Sequence, residues 1–98
     1  MAKEKKQISG TDKDTKSHDI PEVDKDHIRM IASKAKELRI KAGYSYEEFA
    51  AHAGINRNTY FRFEKSSTTG KNFTIATFLR VLRGLNISAT YFFVLFKQ

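Results

Sequence analysis

The sequence predicts an all-α fold, a five-helix bundle over residues 25–98 preceded by a disordered tail over residues 1–24. Three observations lead there. Between Asp24 and Phe92, apolar residues recur at three- and four-residue steps, the period of helices buried on one side. Residues that cap helix starts, Ser45, Asn56 and Ser88, stand just before those periodic stretches. Gly43, Gly54 and Gly84 stand where the stretches end.

In residues 1–24 the only apolar side chains are Met1, Ala2, Ile8, Ile20 and Val23, too little surface to offset the entropy of ordering, so the tail runs to about Pro21. Its five lysines face six carboxylates, a near-neutral balance that favours a solubilising leader over the alternative, contact with DNA phosphates through Lys3, Lys5 and Lys6. The first helix is expected from about Asp24 to Ala42. Its stripe is Ile28, Ile31, Ala35, Leu38 and Ala42, with Asp24 or Asp26 as N-cap. Lys34, Lys36, Arg39 and Lys41 lie toward its end, where cations suit the helix dipole.

The second helix opens on Ser45, whose hydroxyl can cap a backbone amide while Glu48 reaches back to the Ser45 amide. Phe49 and Ala53 give it one apolar face, and Gly54 supplies the left-handed residue that ends it. Ile55 is an apolar turn residue. Asn56 then caps a third helix, Arg57 to Lys65, with Tyr60 and Phe63 inward, followed by a polar loop to Asn72. Thr74 to Arg83 places Ile75, Phe78, Leu79 and Leu82 on one face of a fourth helix, closed by Gly84 and Leu85. After Ser88, Ala89 begins a fifth helix. Beyond Phe92, the aromatic and β-branched content leaves helix and strand both open, and the apolar residues point all round any helix, so a partner must cover the excess.

The net charge is +7, the sum of −1 on residues 1–24 and +8 on residues 25–98, where 13 basic residues face 5 acidic ones. Such an excess makes a polyanion the natural partner. Ninety-eight residues form one small domain with a modest core. The absence of cysteine removes disulfides, thiolate nucleophiles and cysteine metal sites, and suits a reducing cytoplasm. No apolar stretch follows the basic start as in a signal peptide, and the run Tyr91 to Phe96 falls far short of the roughly 20 residues that cross a bilayer. Gly70-Lys71 resembles the end of a phosphate-binding loop, but Lys65 stands where its first glycine belongs and Asn72 where Ser or Thr would bind magnesium. His18, His27 and His52 are scattered without metal-ligand spacing. Glu47 and Glu48 are neighbours that diverge by about 100° on a helix, so they make no acid–base pair. The sequence therefore points to no catalytic residue, cofactor, metal, membrane contact or small-molecule ligand.

The stretch from Ser45 to Lys65, with apolar Phe49, small Ala50, Gly54 at the turn, apolar Ile55 and inward Tyr60 and Phe63, resembles the helix-turn-helix of the phage repressor and Cro-like (XRE) family. The likeness covers about residues 26 to 93 and implies a lambda-repressor-like bundle in which helices two and three form the unit. It also implies a sequence-specific regulator of transcription that binds double-stranded DNA, with the third helix in the major groove. Carried over by position, Arg57, Asn58 and Arg62 face bases. Arginine can grip guanine and asparagine adenine, each pair giving about 1–3 kcal/mol of discrimination. Thr59 meets a thymine methyl or a phosphate. Lys65, Thr69, Lys71, Asn72 and the starts of helices two and four hold phosphates. Arg39 and Glu64 fall where members form a buried ion pair. This chain departs from the family at Tyr46, where glutamine is usual, and at Phe61, where a polar residue is usual. Phe61 either reads a thymine methyl or packs on the first helix of the unit, with packing favoured. Because members usually bind palindromes as dimers, Tyr91, Phe92, Phe93, Val94, Leu95 and Phe96 are the expected homodimer interface. The rival reading is a protein-interaction module, such as an antitoxin-like partner of a toxin, that uses this patch and the aromatic face of Tyr60, Phe61 and Phe63.

Overall fold

A computed structural model describes residues 20–97; of the tail expected to be disordered over residues 1–24, residues 1–19 lie outside the described residues, while Glu22 to Asp24 are already helical. Five helices follow in order: α1 (Glu22–Lys41), α2 (Tyr46–Ala53), α3 (Arg57–Thr69), α4 (Ile75–Leu85) and α5 (Ala89–Val94), then a single 3-10 turn, Leu95–Lys97. The described residues contain no strand, and the run after Phe92 stays helical.

α1 and α3 make the most extensive helix contact, and both are longer than the sequence pattern predicts. α1 starts at Glu22 rather than Asp24, with Pro21 in the N-cap position and no side-chain cap, so neither Asp24 nor Asp26 serves as one. The Pro21 carbonyl accepts hydrogen bonds from the Asp24 and Lys25 amides at 3.0 and 3.1 Å. α3 runs past Lys65 to Thr69, so four residues read as loop are helical. The two extensions support each other. Arg29 donates to the Thr68 carbonyl at 3.2 Å and pairs with Asp26 at 2.7 Å and Glu22 at 3.2 Å. Ser66 is buried and its hydroxyl donates to the Lys71 carbonyl at 2.8 Å, drawing the chain back as Gly70 ends the helix at φ +71°. Ala32 and Ala35 are fully buried on α1, their small side chains letting the two helices approach closely, while Ala42 is exposed and outside the stripe.

α2 is held by local chemistry. The Glu48 amide donates to Ser45 Oγ at 3.1 Å and the Ser45 amide to Glu48 Oε1 at 2.9 Å, which also holds the Glu48 carboxyl below its ordinary pKa. On α4 the buried side is Thr77, Phe78, Val81 and Leu82, whereas Ile75 and Leu79, expected inward, are exposed. Gly84 explains the rotation. It lies within α4, and a Cβ there would stand 2.7 Å from Ala53 Cβ and 2.8 Å from Phe49 Cζ, so α4 presses its backbone against α2 at that point.

A file of rings threads the core. Phe49–Tyr60, Tyr60–Phe63, Phe63–Phe73, Phe73–Phe78 and Phe78–Phe92 are in contact, with centroids 4.8 to 6.0 Å apart. This file removes Phe92 from the expected homodimer interface, because the side chain is 0% exposed inside its own chain. Leu95 and Phe96 are half-buried, and Tyr91, Phe93 and Val94 are exposed.

Candidate nucleic-acid interface

Asn56 starts α3 by accepting hydrogen bonds from the amides of Asn58 at 2.9 Å and Thr59 at 3.3 Å. Tyr60, Phe63 and Ser66 then bury one side of the helix. Helical spacing leaves Arg57, Asn58, Phe61, Arg62 and Lys65 together on the opposite side, all exposed. Thr59 is half-buried. Beside Arg62 and Lys65 lies an open groove of about 430 Å³, bordered by Thr69, Lys71 and Asn72 from the end of α3 and the link to α4. Arg62, Lys65 and Lys71 pair with no carboxylate among the described residues.

The two helix starts beside this face differ in charge. The first turn of α2 carries Glu47 and Glu48, which already answer its dipole. The first turn of α4 carries no acid and follows Lys71 and Asn72, so it is the more favourable seat for a phosphate. Arg57 is not free: its guanidinium donates to Glu47 Oε2 at 2.7 Å. Sequence reading missed this partner. The signal available was that a helix-turn-helix brings the first turns of its two helices together, across ten positions of sequence. Tyr46 is half-buried against Phe61, with ring centroids 5.8 Å apart, and the Lys65 ammonium stands 5.7 Å from the Phe61 centroid.

The far end of the exposed face of α3 is fixed from behind. Arg39 Nε and Nη2 donate to the two Glu64 oxygens at 2.8 and 3.0 Å, and Nη1 donates to the Tyr44 carbonyl at 2.8 Å. The Tyr60 hydroxyl donates to the same carboxylate. The Glu64 hydrogen bond raises the Arg39 pKa against the cost of desolvation. Burial, reinforced by Glu64, pushes the Tyr60 phenol far above the ordinary tyrosine value. The cluster joins α1, the α1–α2 link and α3, so α3 can neither slide nor rotate without breaking several charged hydrogen bonds at once.

A family model, HTH_3, described as helix-turn-helix, matches residues 36–92, more than half of the chain. The chain belongs to the XRE/Cro-like helix-turn-helix family. The helix-turn-helix match starts inside α1 and ends in α5, so the resemblance extends through all five helices, and the family is one of DNA-binding domains. No curated protein and no solved structure matches the chain. Among the described residues no helix is long and apolar enough to cross a membrane.

Proposed function

We propose that this protein is a sequence-specific regulator of transcription that binds double-stranded DNA by laying α3 in the major groove. The observation that carries the reading is the exposed face of Arg57, Asn58, Phe61, Arg62 and Lys65 on a helix whose opposite side is locked into the core. Arg57, Asn58 and Arg62 offer the donors and acceptors that distinguish base pairs. Lys65, Thr69, Lys71, Asn72 and the start of α4 offer the phosphate contacts that set register. In this reading Tyr46 serves chiefly to support Phe61.

The working form is a homodimer built on Tyr91, Phe93 and Val94, edged by Leu95 and Phe96, and acting in the cytoplasm. These side chains leave an apolar patch that a second copy can cover, and a palindromic site calls for two reading helices about one helical turn, roughly 34 Å, apart. Sedimentation of the free chain as a monomer at high micromolar concentration would remove the dimer. A second reading, an antitoxin-like or assembly module, is favoured by an apolar groove of about 220 Å³ between α1 and the end of the chain, lined by His27, Met30 and Ile31 of α1, Phe93 of α5 and Phe96 of the 3-10 turn.

Retardation of random duplex DNA, repeated across salt concentrations, separates the two. Six or so phosphate contacts cost about 10³-fold or more in affinity between 50 and 200 mM salt. Absence of retardation at low salt defeats DNA binding and leaves the interaction module.

A further inference from the structure

Phe61 occupies the middle of the exposed face of α3, with Arg57 and Asn58 one turn before it, Arg62 beside it and Lys65 one turn after it. The core does not use this ring, since α3 buries Tyr60, Phe63 and Ser66 instead. Yet the ring is held in place. Tyr46 packs on it at 5.8 Å with the planes inclined by 51°, and the Lys65 ammonium stands 5.7 Å from its centroid. With Tyr46 behind it, 45% of Phe61 still faces outward among side chains that otherwise hydrogen-bond or carry charge.

A base edge in the major groove presents donors, acceptors and one apolar feature, the 5-methyl group of thymine. An aromatic ring fixed at the centre of a groove-reading face has only that feature to bury against. We propose that Phe61, backed by Tyr46, reads a pyrimidine 5-methyl group and so makes thymine the preferred base at one position in each half-site. The inference rests on the DNA-binding reading above and adds the feature recognised and the residue that recognises it. The packing expected for Phe61 is present in its contact with Tyr46, and in this proposal that contact holds the ring where it can meet the methyl group.

The test uses the full chain and a duplex it selects from a random pool. Each thymidine is replaced in turn by deoxyuridine, which loses the methyl group and keeps the pairing and every groove donor and acceptor. One thymine per half-site is expected to lose about fourfold in affinity, the worth of one methyl group buried on an apolar surface. Phe61→Ser should bind the thymine and uracil duplexes equally, while Phe61→Leu should keep the preference. A selected duplex that binds tightly with no uracil-sensitive position overturns the inference and leaves DNA binding intact. A penalty that survives unchanged in folded Phe61→Ser also overturns it. If the chain retains no duplex from the pool, the DNA-binding reading fails and this inference fails with it. A wild-type scan with no uracil-sensitive position overturns the inference whatever the stability of the variants, and the Phe61→Ser and Phe61→Leu variants assign a sensitive position to this ring rather than to Thr59.

Discussion

Arg39–Glu64 and Arg57–Glu47 join the same residue types at nearly the same distance, 2.8 and 2.7 Å, at two levels of α3. Their surroundings differ. The side chains of the first pair are 11% and 12% exposed, and the guanidinium also serves the Tyr44 carbonyl while the carboxylate also accepts from Tyr60. Those of the second are 65% and 53% exposed and share one contact. Water screens the outer pair, so its arginine can change partners at little cost, and an exposed pair adds about 0–1 kcal/mol. The inner pair has exchanged water for protein groups, and removing either partner strands a charge. Burial and the number of hydrogen bonds decide which pair holds the fold and which stays available for a ligand.

The largest effect should come from Glu64→Ala, which leaves the Arg39 guanidinium and the Tyr60 hydroxyl without their acceptor. It is expected to cost about 3–5 kcal/mol and to lower the melting temperature by about 10 °C or more in a domain of this size. A melting temperature that hardly moves would show that the cluster does not secure α3. Arg57→Ala should do the reverse. Calorimetry should register a change under about 1 kcal/mol, while site selection should show the preference at one base pair relaxed by about 1–3 kcal/mol. If this variant unfolds instead, the contrast between the pairs is wrong. Glu47→Gln should release Arg57 and remove a like charge facing the phosphates, raising affinity a few-fold at low salt, a gain that added salt erases. Equal affinities at every salt concentration would show that Glu47 does not restrain Arg57.

The smallest effects concern pH, and the two sides of the molecule should report at opposite ends of the scale. Glu48, held low by the Ser45 amide, and Glu37, held low by Lys41 and Lys34, bind protons less readily folded than unfolded. Their support is therefore present above the ordinary carboxylate value of 4.5 and fades as pH falls through it and below. Buried Tyr60 holds its proton more tightly folded than unfolded, so its support is complete below the ordinary value of 10.0 and is lost as pH rises beyond it. Denaturant midpoints measured across pH should fall at both extremes. In Tyr60→Phe, provided it folds, the alkaline fall should shrink and the acid fall should stay.

The capping box at Ser45, the turn at Gly54 and the cap at Asn56 were legible in the sequence because each depends on chemistry within three residues along the chain. The parts that sequence reading missed depend on neighbours far along it. Thr68 reads as a loop residue until Arg29, 39 positions earlier on α1, donates to its carbonyl. The pattern of α4 favours Ile75 and Leu79 as core, but the close approach of Gly84 to Phe49 turns them outward. Phe92 reads as one of several surplus aromatics, and only the ring file shows that Phe78 claims it. On the exposed face of α3, the resemblance marked Arg57, Asn58 and Arg62 by position, but the Glu47 partner depends on how the first turns of α2 and α3 meet, ten positions apart.

The lock at Glu64 has a consequence for how this chain can diverge. It grips α3 from the side facing α1, two turns beyond Arg57, and touches none of the outward side chains. Substitutions at 57, 58, 61 and 62 therefore leave the hydrogen bonds of the lock in place, so that on the proposed DNA-binding reading a change of target needs no change of frame. The lock separates the residues that hold α3 in the frame from those the helix presents outward.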